Sequence, residues 1–126
     1  MYKKFHNHLL KDNRGYLQKN LLIDIKKKTG FKIIESFFSY FSKPNVIRGI
    51  YMQTGKSMEA KLITLIEGKL TWVIVDMKKN SKNFLKNHMI KLKKFETVYI
   101  PEGYAHGALS HTKSLLHIFS NKKYND

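Results

Sequence analysis

A chain of 126 residues with 24 Lys and Arg against 9 Asp and Glu carries a formal charge of +15. Its 42% hydrophobic and 13% aromatic content excludes a disordered chain, and the absence of cysteine excludes disulfide and thiolate chemistry. No apolar run approaches the ~20 residues of a membrane-spanning helix, and Met1-Tyr2-Lys3-Lys4-Phe5-His6 lacks the apolar stretch of a signal peptide. The expectation is a cytoplasmic protein with no membrane partner. A domain of this length buries roughly two-thirds of its unfolded surface, which suffices for one core. The charge admits either a phosphate-bearing partner or a solvated lysine surface. Only Arg14 and Arg48 are arginine. Base-edge readout relies on arginine forks, so nucleic-acid binding is disfavoured, though a basic nucleic-acid-binding barrel stays open as a distant alternative.

Taken in chain order, strands are expected at Leu21–Ile25, at the aromatic-rich Phe31–Phe41, and at Val46–Gln53. Lys61–Ile66 follows, then a turn at Glu67-Gly68-Lys69 that uses glycine for a positive φ. Leu70–Met77 sets Thr71, Val73 and Val75 against Trp72, Ile74 and Asp76, the two-residue period of a strand. Asn87–Leu92, Thr97–Ile100, Gly107–Leu109 and Ser114–Ser120 complete the set. Helical spacing is absent beyond a turn at 82–86. Many short strands joined by polar turns predict an all-β chain that closes as a jelly roll, one domain spanning residues 1–126.

Two blocks carry the chemistry. Arg48-Gly49-Ile50-Tyr51-Met52-Gln53 and Pro101-Glu102-Gly103-Tyr104-Ala105-His106-Gly107 set ionisable and ring side chains beside glycines inside apolar, strand-like runs. A concave site lined by strands accounts for both features. These blocks resemble the RGLH-x-Q and PEGFAHGF signatures of the dTDP-4-dehydrorhamnose 3,5-epimerase family. Three more segments are similar in the same order. They are Asp12-Asn13-Arg14-Gly15-Tyr16, Ala60-Lys61-Leu62-Ile63, and Val75-Asp76-Met77-Lys78-Lys79-Asn80-Ser81. The resemblance covers about Asp12 to Asn121. It implies a cupin-type jelly roll, a homodimer, no metal or cofactor, and proton transfer beside the C4 ketone of a dTDP-4-keto-6-deoxy sugar.

Such a reaction needs a base, an acid across the ring and a cation near the developing oxyanion. The resemblance places Lys61 near the enolate and Arg48 on the substrate. It sends Arg14 to nucleotide phosphate from the neighbouring subunit. His106 and Gln53 fall on the pocket wall, and Ser36 stands at a site glutamine. Phe38 occupies the position of a family asparagine. The family's catalytic histidine is here Tyr51, and its acidic tyrosine aligns with His117 when Leu109-Ser110 and Ser120-Asn121 are anchors; without a gap it aligns with Phe119. On the first alignment the pair is exchanged, with His117 as base and Tyr51 as donor. The family's C-terminal segment, whose aspartate orients that histidine, has no counterpart in these residues. A non-catalytic sugar-nucleotide or carbohydrate binding module of the same fold remains the alternative, and the test between them is whether Tyr51 and His117 share one cavity with Lys61. The only His-x-His, His6-Asn7-His8, lacks the flanking residues of a cupin metal motif, so no metal site is expected.

Overall fold

The computed structural model describes residues 1–20 and 22–123. Among the described residues, eleven strands run in chain order: β1 Lys3–His6, β2 His8–Asp12, β3 Gly15–Lys19, β4 Glu35–Phe41, β5 Ile47–Tyr51, β6 Lys61–Glu67, β7 Leu70–Asp76, β8 Asn87–Leu92, β9 Glu96–Ile100, β10 Tyr104–Ser110 and β11 Ser114–Ser120. One helix, α1 Leu22–Thr29, lies between β3 and β4. A five-stranded sheet has the order β1-β9-β6-β11-β4, and a four-stranded sheet has the order β5-β10-β7-β8. The strand pairs are antiparallel. The two sheets face one another as the expected jelly roll, while β2 and β3 form a separate hairpin.

Period-two alternation builds the core. On β7, Leu70, Trp72, Ile74 and Asp76 are buried while the residues between them are half-exposed. Ile63 and Leu65 of β6, Val98 and Ile100 of β9, and Leu116 and Ile118 of β11 meet them from the facing sheet. Each such side chain contributes about 1.5–3 kcal/mol by leaving water. The β6–β7 connection is the expected glycine turn. Gly68 has φ +96°, and a Cβ there would stand 2.2 Å from the Lys113 carbonyl oxygen. Asp76 closes β7 by accepting from Lys78 N at 2.9 Å and from Ser81 Oγ at 2.6 Å. The Ser81 hydroxyl above all, then the Lys78 amide, holds its carboxyl below the ordinary range against burial. The Val75–Ser81 motif is therefore a structural turn.

The expected strand at Leu21–Ile25 is corrected. Leu21 lies outside the described residues, and Leu22–Ile25 opens α1. Leu22 and Ile25 are one helical turn apart and pack with Phe31, Leu62 and Phe119 on the back of the five-stranded sheet. Asp24 lies in the first turn and Lys26, Lys27 and Lys28 in the last, which suits the helix dipole. Gly30, at φ +72°, ends the helix, its amide donating to the Lys26 carbonyl at 2.7 Å. The short apolar run fits either helix or strand, and tertiary packing decides it. β4 begins at Glu35 and not at Phe31.

Candidate active site

A cavity of about 260 Å³ opens between the sheets where their edge strands β4 and β5 lie. Its walls hold Arg48 and Tyr51 from β5, Lys61 from β6, Trp72 from β7 and His106 from β10. Phe37, Ser39 and Phe41 enter from β4, and Ile118 from β11. Glycines bring the strands together. Gly49, at φ +95°, could not carry a Cβ, which would lie 2.7 Å from the His106 carbonyl oxygen. A Cβ on Gly107 would lie 2.7 Å from the Arg48 carbonyl oxygen. β5 and β10 therefore run in close contact, with Tyr51 opposite His106, and the ladder is irregular between His106 and Ala108.

Lys61 is the electrostatic centre. Its side chain is only 9% exposed, and its Nζ stands 4.9 Å from the Tyr51 ring centre and 5.9 Å from that of Phe37. The same ammonium is 3.0 Å from Glu59 Oε1. His106 lies nearly parallel to Trp72, their rings 5.4 Å apart. Burial, and then the Lys61 charge, push its imidazole down to about 3, so it is neutral at physiological pH and can donate or accept a hydrogen bond without carrying a charge. The Trp72 Nε1 is buried with no hydrogen-bond partner among the described residues. Arg48 is more exposed. Its Nη2 donates to the Tyr40 carbonyl at 2.8 Å, and its guanidinium lies 5.1 Å over the Phe41 ring.

Of the residues singled out in the sequence, Tyr51, Lys61, Arg48 and His106 meet at this cavity. His117 does not. On β11 it is Leu116 and Ile118 that point into the core. His117 therefore projects to the opposite face, stacked on Phe38 at 4.6 Å and tilted against Phe119 at 4.4 Å. Partial burial there holds its imidazole below the usual range. The expected exchange of tyrosine and histidine across one ring is corrected by this pleat, because a strand residue one step from an inward position faces outward. Ser36 is corrected for the same reason. On β4 the inward positions are Phe37, Ser39 and Phe41, so Ser36 is exposed and pairs across the ladder with Phe119, while Ser39 offers its hydroxyl to the cavity.

Gln53 is buried beside the 3₁₀ turn Gly55–Ser57, its Nε2 donating to the Ser57 carbonyl at 3.0 Å, and it is not among the lining residues. Arg14 stands at the tip of the β2–β3 hairpin, 84% exposed, with Nη2 2.6 Å from Asp12 Oδ2. That bond raises the guanidinium pKa and lowers that of the Asp12 carboxyl. Arg14 does not line the cavity of its own chain. Sequence reading missed Trp72, Phe37, Ser39 and Glu59. Trp72 and Phe37 look like plain core residues on strands. Ser39 is hidden because both faces of Ser36-Phe37-Phe38-Ser39-Tyr40-Phe41 carry aromatics. Among the described residues, no group of three or more His, Cys, Asp or Glu is placed to hold a metal ion.

Comparison with known proteins gives the arrangement a family. The family model described as dTDP-4-dehydrorhamnose 3,5-epimerase matches residues 2–126. The dTDP-4-dehydrorhamnose 3,5-epimerase of Methanothermobacter thermautotrophicus is 31% identical over 103 residues, covering 79% of this chain and 55% of that protein. The Salmonella typhimurium enzyme of the same name is 37% identical over 68 residues, covering 52% of this chain and 37% of that protein. The aligned region thus spans between about a third and just over half of these curated relatives. A crystal structure of the Bacillus anthracis dTDP-4-dehydrorhamnose 3,5-epimerase, with TDP and PPi bound, superposes with a TM-score of 0.91 at 23% identity, covering 98% of this chain and 74% of that one. The β architecture is the one those relatives share, and the family model accounts for nearly every residue. The chain belongs to the dTDP-4-dehydrorhamnose 3,5-epimerase family.

Proposed function

We propose that this protein is an isomerase-class enzyme that binds a nucleoside-diphosphate 4-keto-6-deoxy sugar, as a dTDP derivative, and moves a proton at one carbon beside the C4 ketone. The observation that carries this reading is the convergence of Tyr51, Lys61 and His106 on one cavity with Arg48 beside them. A volume of about 260 Å³ suits a sugar ring and leaves the nucleotide outside, toward the basic surface. The Lys61 ammonium stabilises negative charge on the C4 oxygen as the enolate forms. Neutral His106 can add an N–H to the same oxygen without bringing a second charge. The Tyr51 side chain, whose ring the ammonium faces, takes the carbon's proton as the phenolate and returns it as the phenol. Arg48 presents a fork to the diphosphate.

With His117 on the outer face, one wall holds the proton-transfer group. A single such group serves a same-face shuttle unaided, and one inversion when solvent supplies the proton on the opposite face, better than two inversions. A 3-epimerase or 3,4-ketoisomerase therefore fits this site better than a double epimerase. No cofactor takes part in this scheme. A second reading, a sugar-nucleotide binding module, is favoured by tyrosine at the base position and by His117 lying outside the cavity of Tyr51 and Lys61, so the sharing expected of an enzyme from the sequence is not met. Solvent deuterium exchange into a bound 4-keto-6-deoxy sugar separates them, because a binding module takes up none. The assembly proposed is a homodimer. Phe38, Tyr40, Ile47 and Ile50 are exposed on the edge strands, and the β2–β3 hairpin carries Arg14 at its tip, suited to reach a neighbour's phosphate. β1 pairs with β9 of its own chain, so the hairpin and not the first strand would cross. Among the described residues no helix is long and apolar enough to cross a membrane, and we place the protein in the cytoplasm.

A further inference from the structure

We propose that Glu59 is a positioning residue for this site, holding the Lys61 ammonium against the Tyr51 ring so that it acts as a fixed cation in the proton transfer; the inference rests on the functional reading above. Glu59 and Lys61 are two residues apart, the spacing that puts side chains on one side of an extended chain. The Glu59 side chain is 6% exposed. Its Oε2 accepts from the Ser120 hydroxyl at 2.7 Å, which ties the carboxylate to β11. Its Oε1 faces Lys61 Nζ at 3.0 Å and has no other partner among the described residues. A buried carboxylate with one oxygen committed to a cation is costly unless that cation needs it.

Lys61 does need it. Among the described residues, the other groups around the ammonium are the rings of Tyr51 and Phe37 and the uncharged imidazole of His106. None of these supplies a negative charge, and a lone ammonium would swing toward water. The carboxylate approaches from outside the cavity lining, so it directs the ammonium without itself touching substrate. The neighbouring Ala60 is buried with Leu62 under α1, which anchors the segment that carries both groups.

The test is a double-mutant cycle of Glu59→Gln and Lys61→Met, read by turnover of a dTDP-4-keto-6-deoxy sugar and by thermal melting. Glu59→Gln keeps the size and the Ser120 hydrogen bond. It should lower kcat about 10- to 100-fold, the cost of misplacing a reacting group by a fraction of an ångström or more. KM should stay within about twofold, because phosphate binding is carried elsewhere. Glu59→Asp should recover part of the loss. On the Lys61→Met background, Glu59→Gln should cost nothing further. Equal losses on both backgrounds, or an unchanged kcat, would overturn the proposal. If the wild-type protein turns nothing over, the functional reading fails by itself and the melting cycle decides the pairing. Glu59→Gln should then lower Tm in the wild type and raise or leave it unchanged beside Lys61→Met, where no unpaired ammonium remains. Additive Tm changes would show that the two side chains do not act through one another.

Discussion

At the scale of single residues the site works by burying what would be charged in water. His106 has the largest consequence. In the unfolded chain its imidazole takes a proton below about pH 6.5, whereas in the fold it resists protonation down to about 3. Its contribution is therefore full above pH 6.5 and is lost as the pH falls from 6.5 toward 3. Urea melts across that window should show falling stability in the wild type and a flatter profile for His106→Gln. His117 is the counter-case. It titrates on the opposite face of the sheet, against Phe38 and Phe119, so His117→Ala should leave substrate turnover within about twofold of wild type. A loss of the ~10²–10⁴-fold expected for a positioned base would return His117 to the chemistry.

Four of the eight residues singled out in the sequence line the cavity: Tyr51, Lys61, Arg48 and His106. Arg48, Tyr51 and His106 were legible because rings and charges beside glycines inside apolar strands are rarely neutral choices, and Lys61 through the family resemblance. The misplacement of Ser36 and His117 has one physical origin. A strand reads in either of two faces, and on β4 and β11 both faces carry large apolar groups, so the alternation does not say which is inside. Glu59 was illegible because its meaning lies in two partners, Lys61 and Ser120, and the second is distant in sequence.

At the scale of elements, the strands from β4 to β11 followed from alternation and turn glycines, with ends displaced by a few residues. β1, β2 and β3 escaped notice because their pairing gains little burial: most of their side chains are exposed, and lysines and histidines interrupt any apolar period. The helix α1 escaped because its apolar residues are too few to set a period before the packing on Leu62 and Phe119 is known. The close approach of β5 to β10 is the feature on which the cavity depends most. Gly49→Ala places a methyl group against the His106 carbonyl at a backbone angle L-residues avoid. It should cost about 1–3 kcal/mol of stability and shift Tyr51 and Arg48 together. Denaturant melts with calorimetric titration of dTDP would check this, and unchanged stability and affinity would mean that β5 can retreat without harm.

At the scale of the whole molecule, the +15 charge and the exposed apolar edge make separate demands. The apolar edge at Phe38, Tyr40, Ile47 and Ile50 is the surface a second copy would cover. Light scattering at micromolar concentration should return a dimer, and Phe38→Lys with Ile47→Lys should return a monomer. In the dimer, Arg14→Ala should weaken dTDP binding about tenfold while leaving the melting temperature of the free protein unchanged. A monomeric wild type would remove the role proposed for Arg14. The charge itself is mostly lysine spread over the surface, and it raises the local concentration of any phosphate ligand without selecting one.

Tyr51, Lys61 and His106 are proposed to form a proton-transfer site. The most direct test places the protein with dTDP-4-keto-6-deoxyglucose in heavy water and follows the sugar protons by NMR. Loss of signal is expected at one carbon beside the C4 ketone, at a rate reduced about a hundredfold or more in Tyr51→Phe and in Lys61→Met. Saturable binding of the sugar nucleotide with both C3 and C5 protons retained would contradict it, and would leave a binding module on an enzyme's fold.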